Sequence, residues 1–234
     1  MKKSNIAMLI VFLVCIPLTI FLGMKIPGRS HYITGTLIII ELLIPFFMAF
    51  EGRKPQAREL VIIAILCAIA IVSRIIIPIP HFKPAFAVIM LSGMAFGPEV
   101  GFMVGAVAAF GGNFFAGQGP YTPWQMLGYG AGGMLAGFIF QKKLLPRKPV
   151  VMAVFGFLMC MLWIGPLLDT STVFLTLSQI SLKTMWPVYL AGIPVNAMQG
   201  LCTVIVMLLF GKPFLEKLDR VKLKYGMMED DLGV

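Results

Sequence analysis

The sequence predicts an all-α, polytopic membrane protein, and three observations support this prediction. Hydrophobic residues make up 59% of the 234 residues and charged residues only 12%, which is about half the charged share of a typical soluble domain. The mean hydropathy is +0.94. The apolar residues are also grouped into long runs, and a helix needs about 20 such residues to cross a bilayer. This composition excludes a soluble enzyme, because so few charged residues cannot cover a water-facing surface.

Eight apolar runs predict about eight transmembrane helices. The first follows Met1-Lys2-Lys3, and we interpret it as a retained helix, because it is longer than a signal-peptide core and lacks a small-residue cleavage site. The fourth run is short, since Pro78, Pro80 and Pro84 crowd its start. In chain order the predicted spans are Ile6–Gly23, Ile33–Phe50, Leu60–Ile77, Phe82–Phe96, Pro98–Phe115, Pro123–Phe140, Val150–Leu168 and Pro187–Phe210.

The excess of positive charge predicts the orientation of these spans. The chain has 19 Lys and Arg residues against 10 Asp and Glu residues, a net charge of +9. Eight spans place both termini on the same side of the membrane. With the termini inside, 14 of the basic residues fall on inner segments and 5 on outer segments, as the positive-inside rule requires. We therefore expect a multi-pass protein of the cell membrane with cytoplasmic N and C termini.

Glycines are concentrated in the middle of the chain, where 13 of the 24 lie between Gly93 and Gly137. Small residues spaced four apart share one helix face and allow a neighbouring helix to approach closely. Ala64 and Ala68 form a similar smooth patch on the third span. Three glycine pairs predict tight packing of the fifth and sixth spans: Gly101–Gly105, Gly128–Gly132 and Gly133–Gly137.

Sequence motifs of catalysis are missing from this chain. Gly211-Lys212 lacks the upstream glycine of a phosphate-binding loop, and neither HExxH nor GxSxG occurs. The four cysteines lie in separate apolar runs, and the two histidines are far apart, which disfavours a metal site. We predict no catalytic residue, no metal and no cofactor, and a role in binding or transport.

Polar and aromatic side chains predict a ligand site at the outer face. The proline-rich segment 78–84 is expected to form a stiff outer loop, because each proline disfavours helix in the residue before it. The second outer loop, 113–125, combines amides, aromatic rings and glycines, which suit a polar or flat organic ligand. The last outer loop and span add a tryptophan and an amide. The predicted ligand-binding residues are Arg74, Phe82, Lys83, Asn113, Gln118, Tyr121, Trp124, Gln125, Trp186 and Asn196.

Several polar and aromatic residues of the spans and outer loops also have simpler explanations than ligand binding. Tyr121 and Trp124 are also typical of the aromatic belt at a membrane interface. Asn196 and Gln199, within the last span, are equally suited to hydrogen bonds between neighbouring helices. Glu41, a carboxylate within the second span, suggests a proton site, a structural partner for another helix, or a span shifted so that Glu41 lies near an interface.

Four motifs between Leu60 and Gly137 indicate a family. They are Ala64-x-x-x-Ala68, the stretch 73–84 with Ser-Arg followed by prolines, the Phe-Gly-Pro-Glu turn within 93–101, and the loop 117–125 with Gln-Gly-Pro-Tyr-Thr-Pro-Trp-Gln. The turn and the loop are the more specific of the four. Together they resemble the substrate-binding S component of energy-coupling factor (ECF) vitamin transporters, and most closely the subgroup assigned to cobalamin or related corrinoids.

The resemblance implies a six-helix membrane core, 58–212, that binds a scarce vitamin near the outer face. Residues 1–57 are two extra helices that depart from the family pattern, and 213–234 are expected to form a charged cytoplasmic tail. The resemblance also implies two kinds of partner, a transmembrane coupling protein and two ATPase subunits, with Ala64 and Ala68 at the contact. Nucleic acid is not an expected partner.

Two other functions fit the composition less well. An autonomous secondary transporter would use Glu41 as its proton site. A membrane-embedded enzyme is disfavoured, because no paired acid, nucleophile or metal cluster appears at one depth of the predicted bundle.

Overall fold

The computed structural model describes residues 10–24, 30–52 and 57–224, apart from the side chains of some residues in the first two helices. This part of the chain is helical and contains no β-strand. Its eight helical segments correspond in order to the eight predicted spans. They are α1 (Ile16–Met24, preceded by a π-helical turn Val11–Cys15), α2 (Ser30–Gly52), α3 (Ala57–Ile75), α4 (Ala85–Phe96), α5 (Pro98–Ala116), α6 (Thr122–Gln141), α7 (Pro149–Thr176) and α8 (Leu182–Lys224).

The all-α membrane fold is confirmed by the length and composition of these helices. Among the described residues, α5, α7 and α8 are each long and apolar enough to cross a bilayer, and Ile33–Ile44 and Ala85–Phe96 are shorter apolar helices. Large apolar side chains are exposed on the outside of the bundle, as expected of a lipid-facing surface. The cytoplasmic placement of both termini concerns residues 1–9 and 225–234, which lie outside the described residues.

Close backbone contacts hold α4, α5 and α6 together. A Cβ atom added at Gly93 or Gly101 would collide with the carbonyl group of Gly133, and one added at Gly105 would collide with the backbone at Tyr129. The predicted tight packing of the fifth and sixth spans is therefore confirmed. Gly128 and Gly132 differ from the others, because they face the side chains of α7 at Leu167 and Ile164 instead.

Helix α4 is short and buried, and its ends are set by Pro84 and Gly97. Its 12 residues are all buried, and at 1.5 Å per residue they span only about 18 Å. It begins at Ala85, three residues later than predicted, directly after Pro84. At its other end Gly97 has φ +104°, a left-handed conformation that permits a sharp turn into α5. Because α4 is much shorter than a bilayer is thick, the irregular segment 76–84 occupies the space beyond its N terminus.

The N-terminal hairpin α1–α2 packs on the outside of the core. Ile39 and Leu43 of α2 are buried in a cluster with Phe102, Trp124 and Leu127 of α5 and α6. Within the hairpin, Thr19 Oγ1 donates a hydrogen bond to Glu41 Oε1 at 2.5 Å. The hairpin thus covers a face of the core formed by α5 and α6.

Helix α8 is longer than the predicted span at both ends. Its N terminus is capped by Ser181, whose side chain accepts a hydrogen bond from Thr184 N. The Thr184 side chain in turn accepts a hydrogen bond from the backbone N–H of Ser181. Beyond the π-helical turn Met207–Gly211 the helix continues to Lys224, with Leu215 and Leu218 buried. The first part of the predicted charged tail is therefore a helix packed on the core.

Candidate ligand-binding site

A network of amide and hydroxyl groups links α5 to α6 at the end of the bundle where α5 ends and α6 begins. The fully buried Asn113 donates from Nδ2 to Thr122 Oγ1 and to Gln125 Oε1, both at 2.9 Å. Thr122 Oγ1 donates to Gln118 Oε1 at 2.9 Å, and Gln118 Nε2 donates to the Phe110 carbonyl at 3.0 Å. The tight turn between α5 and α6 is possible because Gly117 has φ +104°, a conformation that glycine adopts readily. This network fixes the side chain of Gln125.

Arg74 connects α3 to the same network. Its Nη1 donates to the Ala109 carbonyl at 3.2 Å and its Nη2 to Gln125 Oε1 at 3.2 Å. The guanidinium lies 5.4 Å from the centre of the Tyr129 ring, within the range of a cation–π interaction. A Cβ atom at Gly112 would stand 3.0 Å from two Arg74 atoms, so the absence of a side chain there lets Arg74 lie against α5.

These groups border a cavity of about 410 Å³, which we call the main cavity. Phe86 and Tyr129 line it as an edge-to-face pair with ring centres 4.6 Å apart. Arg74, Lys83, His81, Gln125 and Gln199 supply its polar lining. The cavity therefore combines an aromatic surface with several hydrogen-bond donors, as expected of a site for an organic ligand.

A second cavity of about 470 Å³ shares Gln125 and Leu168 with the first. Its lining includes Tyr121 and the hydroxyl residues Ser171, Thr172 and Thr176. The Tyr121 hydroxyl itself donates to the Gly117 carbonyl at 2.6 Å. Both cavities are lined by Gln125, so this residue is central to the end of the bundle where α5 meets α6.

The structure brings several predicted ligand-binding residues together. Arg74, Lys83 and Gln125 line the main cavity, and Tyr121 lines the second. Asn113 and Gln118 do not line either cavity, but Asn113 hydrogen-bonds to Gln125 directly and Gln118 is linked to it through Thr122 and Asn113. Contact of these residues with a ligand stays a prediction.

The other four predicted residues do not line the main cavity. Trp124 is 5% exposed and stacks at 5.6 Å on Phe174, beside the N-terminal hairpin. Asn196 is buried and donates to Asp169 Oδ2 at 2.9 Å. Trp186 is 66% exposed, and Phe82 is partly buried in the loop before α4. The hydrogen bond of Asn196 fits the interhelical role offered for it, whereas Trp124 is packed between helices and is not exposed as a residue of an aromatic belt would be.

Sequence reasoning missed the aromatic lining of the cavity. Phe86 is the second residue of α4, and Tyr129 stands between two glycines of α6. Tyr129 was a detectable signal, because a phenol in an otherwise apolar membrane helix needs an environment for its hydroxyl group. Phe86 and Phe115 gave no such signal, since phenylalanine is common throughout this chain.

Ala64 and Ala68 lie away from the cavity. Both are exposed on the side of α3 that faces away from the bundle, beside the exposed side chains of Val61, Ile65 and Val72. The predicted smooth patch is thus open to the lipid or to a partner.

Comparison with known proteins identifies the family. The sequence profile of the family described as ECF-type riboflavin transporter, S component, matches residues 54–215, which is most of the chain. The chain belongs to this family. The resemblance seen in the sequence motifs is therefore confirmed at the level of the ECF S component, whereas the cobalamin subgroup is not. The family is a transporter component and not a class of enzyme.

Curated relatives of this S component carry names that state no ligand. A UPF0397 protein of Vibrio atlanticus (strain LGP32) is 35% identical over 118 residues, which cover 43% of this chain and 64% of the relative. A UPF0397 protein of Aliivibrio salmonicida (strain LFI1238) is 38% identical over 88 residues, covering 35% of this chain and 48% of the relative. The matches thus cover less than two thirds of these relatives. No solved structure matches the chain.

Proposed function

We propose that this S component captures a flavin-sized, ring-containing vitamin at the outer face of the cell membrane. The observation that supports this most directly is the cavity in which Arg74, Gln125 and the aromatic pair Phe86–Tyr129 meet. Aromatic side chains stack on flat heterocycles, while the amide and the guanidinium hydrogen-bond to ring carbonyls and nitrogens. The family description, which names riboflavin, points to the same class of ligand.

The size of the cavity supports a flavin over a corrinoid. Ligand cavities that bury a drug-sized molecule measure roughly 300–1,000 Å³, and the main cavity holds about 410 Å³. A corrinoid is several times larger than a flavin and would extend well beyond the main cavity. The cobalamin ligand expected from the sequence motifs stays a prediction, which the experiment below also tests.

The proposed role needs an energy source outside this chain. We infer that the chain docks on a transmembrane coupling protein driven by two ATPase subunits. The exposed Ala64 and Ala68 support this, because small side chains on a lipid-facing helix let a partner helix approach closely.

The decisive experiment identifies the ligand directly. Full-length protein is purified in detergent and examined by native mass spectrometry and by ultraviolet–visible absorbance, without added ligand. A bound flavin, detected by its mass and its absorbance near that of free flavin, is the expected result. A corrin spectrum would replace the flavin with the corrinoid, and a protein that neither retains nor binds any vitamin would contradict the proposed function.

A further inference from the structure

The main cavity has an excess of positive charge. Arg74 and Lys83 both line it, together with His81, and no Asp or Glu is among the described residues that line it. The nearest carboxylate in sequence to a lining residue is Asp169, which follows Leu168, but it accepts a hydrogen bond from Asn196 and adjoins Gly192. The ion pairs Arg147–Asp219 and Lys212–Glu216 involve the opposite end of the bundle.

The hydrogen bonds of both cations go to neutral acceptors. Arg74 donates to the Ala109 carbonyl and to the Gln125 amide oxygen, and Lys83 Nζ donates to the Ile77 carbonyl at 2.7 Å. Carbonyl dipoles orient a cation, but they do not neutralise its charge. An uncompensated charge within a membrane protein is unfavourable, and side chains of this type face a polar path or a counter-ion.

Gln125 adds a donor to the same cavity. Its Oε1 accepts from both Asn113 Nδ2 and Arg74 Nη2, which leaves its Nε2 as the end of the amide that can still donate. A ligand in this cavity therefore meets cations and N–H donors on its polar side and the Phe86–Tyr129 pair on its apolar side.

We infer that the ligand carries an anionic group, a phosphate or a carboxylate, that binds against Arg74 and Lys83. The inference rests on the proposed function, in that it takes this cavity as the ligand site. The anion neutralises the charge of the cavity, and the ring of the ligand lies on the aromatic surface. Charge-assisted hydrogen bonds of this kind are about twice as strong as neutral ones, so the charge contributes to specificity.

The alternative is that both cations act only on the protein itself. Arg74 would then join α3 to α5 and α6, and Lys83 would hold the loop before α4. In that case the affinity of the cavity would not depend on the charge of the ligand.

The test compares flavins that share one ring system. Dissociation constants of riboflavin, flavin mononucleotide and a carboxymethyl flavin are measured by quenching of flavin fluorescence on the purified full-length protein. We expect at least one of the two anionic flavins to bind about tenfold or more tightly than riboflavin. Which anion gains more distinguishes a phosphate site from a carboxylate site, and equal affinity for all three compounds would overturn the inference.

A pair of lysine variants separates charge from loop structure. Lys83→Met keeps the length of the side chain and should reduce the preference for the anionic flavin about tenfold. Lys183→Met changes an exposed lysine outside the cavity and should keep the preference. A preference that survives in Lys83→Met and in Arg74→Gln would overturn the inference, because neither cation would then bind the anion.

Failure of the proposed flavin ligand gives a different result. If neither riboflavin nor the anionic flavins bind, the flavin is excluded, and the charge is decided by the ligand that native mass spectrometry identifies. A ligand without phosphate or carboxylate would contradict the inference. An anionic ligand whose affinity falls in Lys83→Met would support it.

Discussion

Gln125 joins the two halves of the candidate site. Its amide oxygen accepts hydrogen bonds from Arg74 of α3 and from Asn113 of α5. A change at either donor therefore acts on the cavity through Gln125, even though Asn113 does not line it. Trp124, the neighbouring residue, has a different role, because adjacent residues of a helix point about 100° apart.

Trp124 is predicted to stabilise the fold rather than to bind the ligand. Trp124→Ala removes a buried ring that stacks on Phe174, and should lower the free energy of unfolding by about 3–5 kcal/mol. Trp124→Phe preserves most of the packing and should retain the wild-type ligand affinity. Thermal unfolding and ligand titration of the purified variants measure the two effects separately.

Trp186→Ala is the matched control, because this tryptophan is 66% exposed. Its stability should change by no more than about 0.5 kcal/mol. A loss of ligand binding in Trp124→Phe at unchanged stability would return Trp124 to the ligand site.

Glu41 distinguishes an S component from a proton-driven carrier. One carboxylate oxygen accepts from Thr19, while the other is buried and has no hydrogen-bond partner among the described residues. Glu41→Gln removes the charge and keeps the acceptor for Thr19. We expect unchanged ligand affinity and unchanged ATP-driven uptake, because Glu41 does not line the cavity.

Uptake into proteoliposomes tests this expectation. The chain alone is tested with a proton gradient, and the chain with its ATPase partners is tested without one. Uptake by the chain alone that Glu41→Gln abolishes would establish the carrier instead.

At the scale of elements, the contact between α5 and α6 is the most constrained part of the fold. An added Cβ at Gly101 would meet backbone atoms of Gly133, which cannot move aside as a flexible side chain can. Gly101→Ala should therefore lower the free energy of unfolding by about 1–3 kcal/mol, measured by thermal denaturation in detergent.

Gly128→Ala is the control for this prediction. A Cβ there would stand 3.3 Å from a methyl carbon of Leu167, and a flexible side chain can shift. Equal destabilisation by the two substitutions would show that the backbone contact is not the cause.

The helices could be predicted from the sequence because the bilayer imposes long apolar runs. The ends were less predictable where local chemistry decides them. Pro84 delays the start of α4 to Ala85, and the Ser181 cap starts α8 at Leu182. Helix α8 continues past Phe210 because Leu215 and Leu218 are buried against the core, an amphipathic contact that depends on tertiary packing.

The candidate site was predictable only in part, for a related reason. Arg74, Lys83 and Gln125 stand out because polar groups at membrane depth are rare. Phe86 does not, since periodicity cannot tell which apolar face borders a cavity and which borders another helix. The direction of Trp124 was equally hidden, because it depends on where the N-terminal hairpin packs.

On the scale of the whole molecule, the ligand cavity and the alanine surface of α3 are separate. Arg74 lies near the C-terminal end of α3 and borders the cavity, whereas Ala64 and Ala68 face outward nearer its start. A single helix therefore connects the ligand site with the proposed docking surface. Ligand binding and energy coupling should accordingly be separable by substitution.

The double substitution Ala64→Leu and Ala68→Leu tests this separation. Leucine fits a lipid-facing position, so the isolated protein should fold and bind its ligand with unchanged affinity. The added volume keeps a partner helix from close approach, so ATP-driven uptake should fall about tenfold or more when the variant is reconstituted with the coupling module. Val150→Leu, at a position of α7 that is 65% exposed, adds volume elsewhere on the surface and should leave uptake unchanged. Full uptake by the double variant would remove Ala64 and Ala68 from the docking surface, and lost binding would show that this face of α3 also supports the cavity.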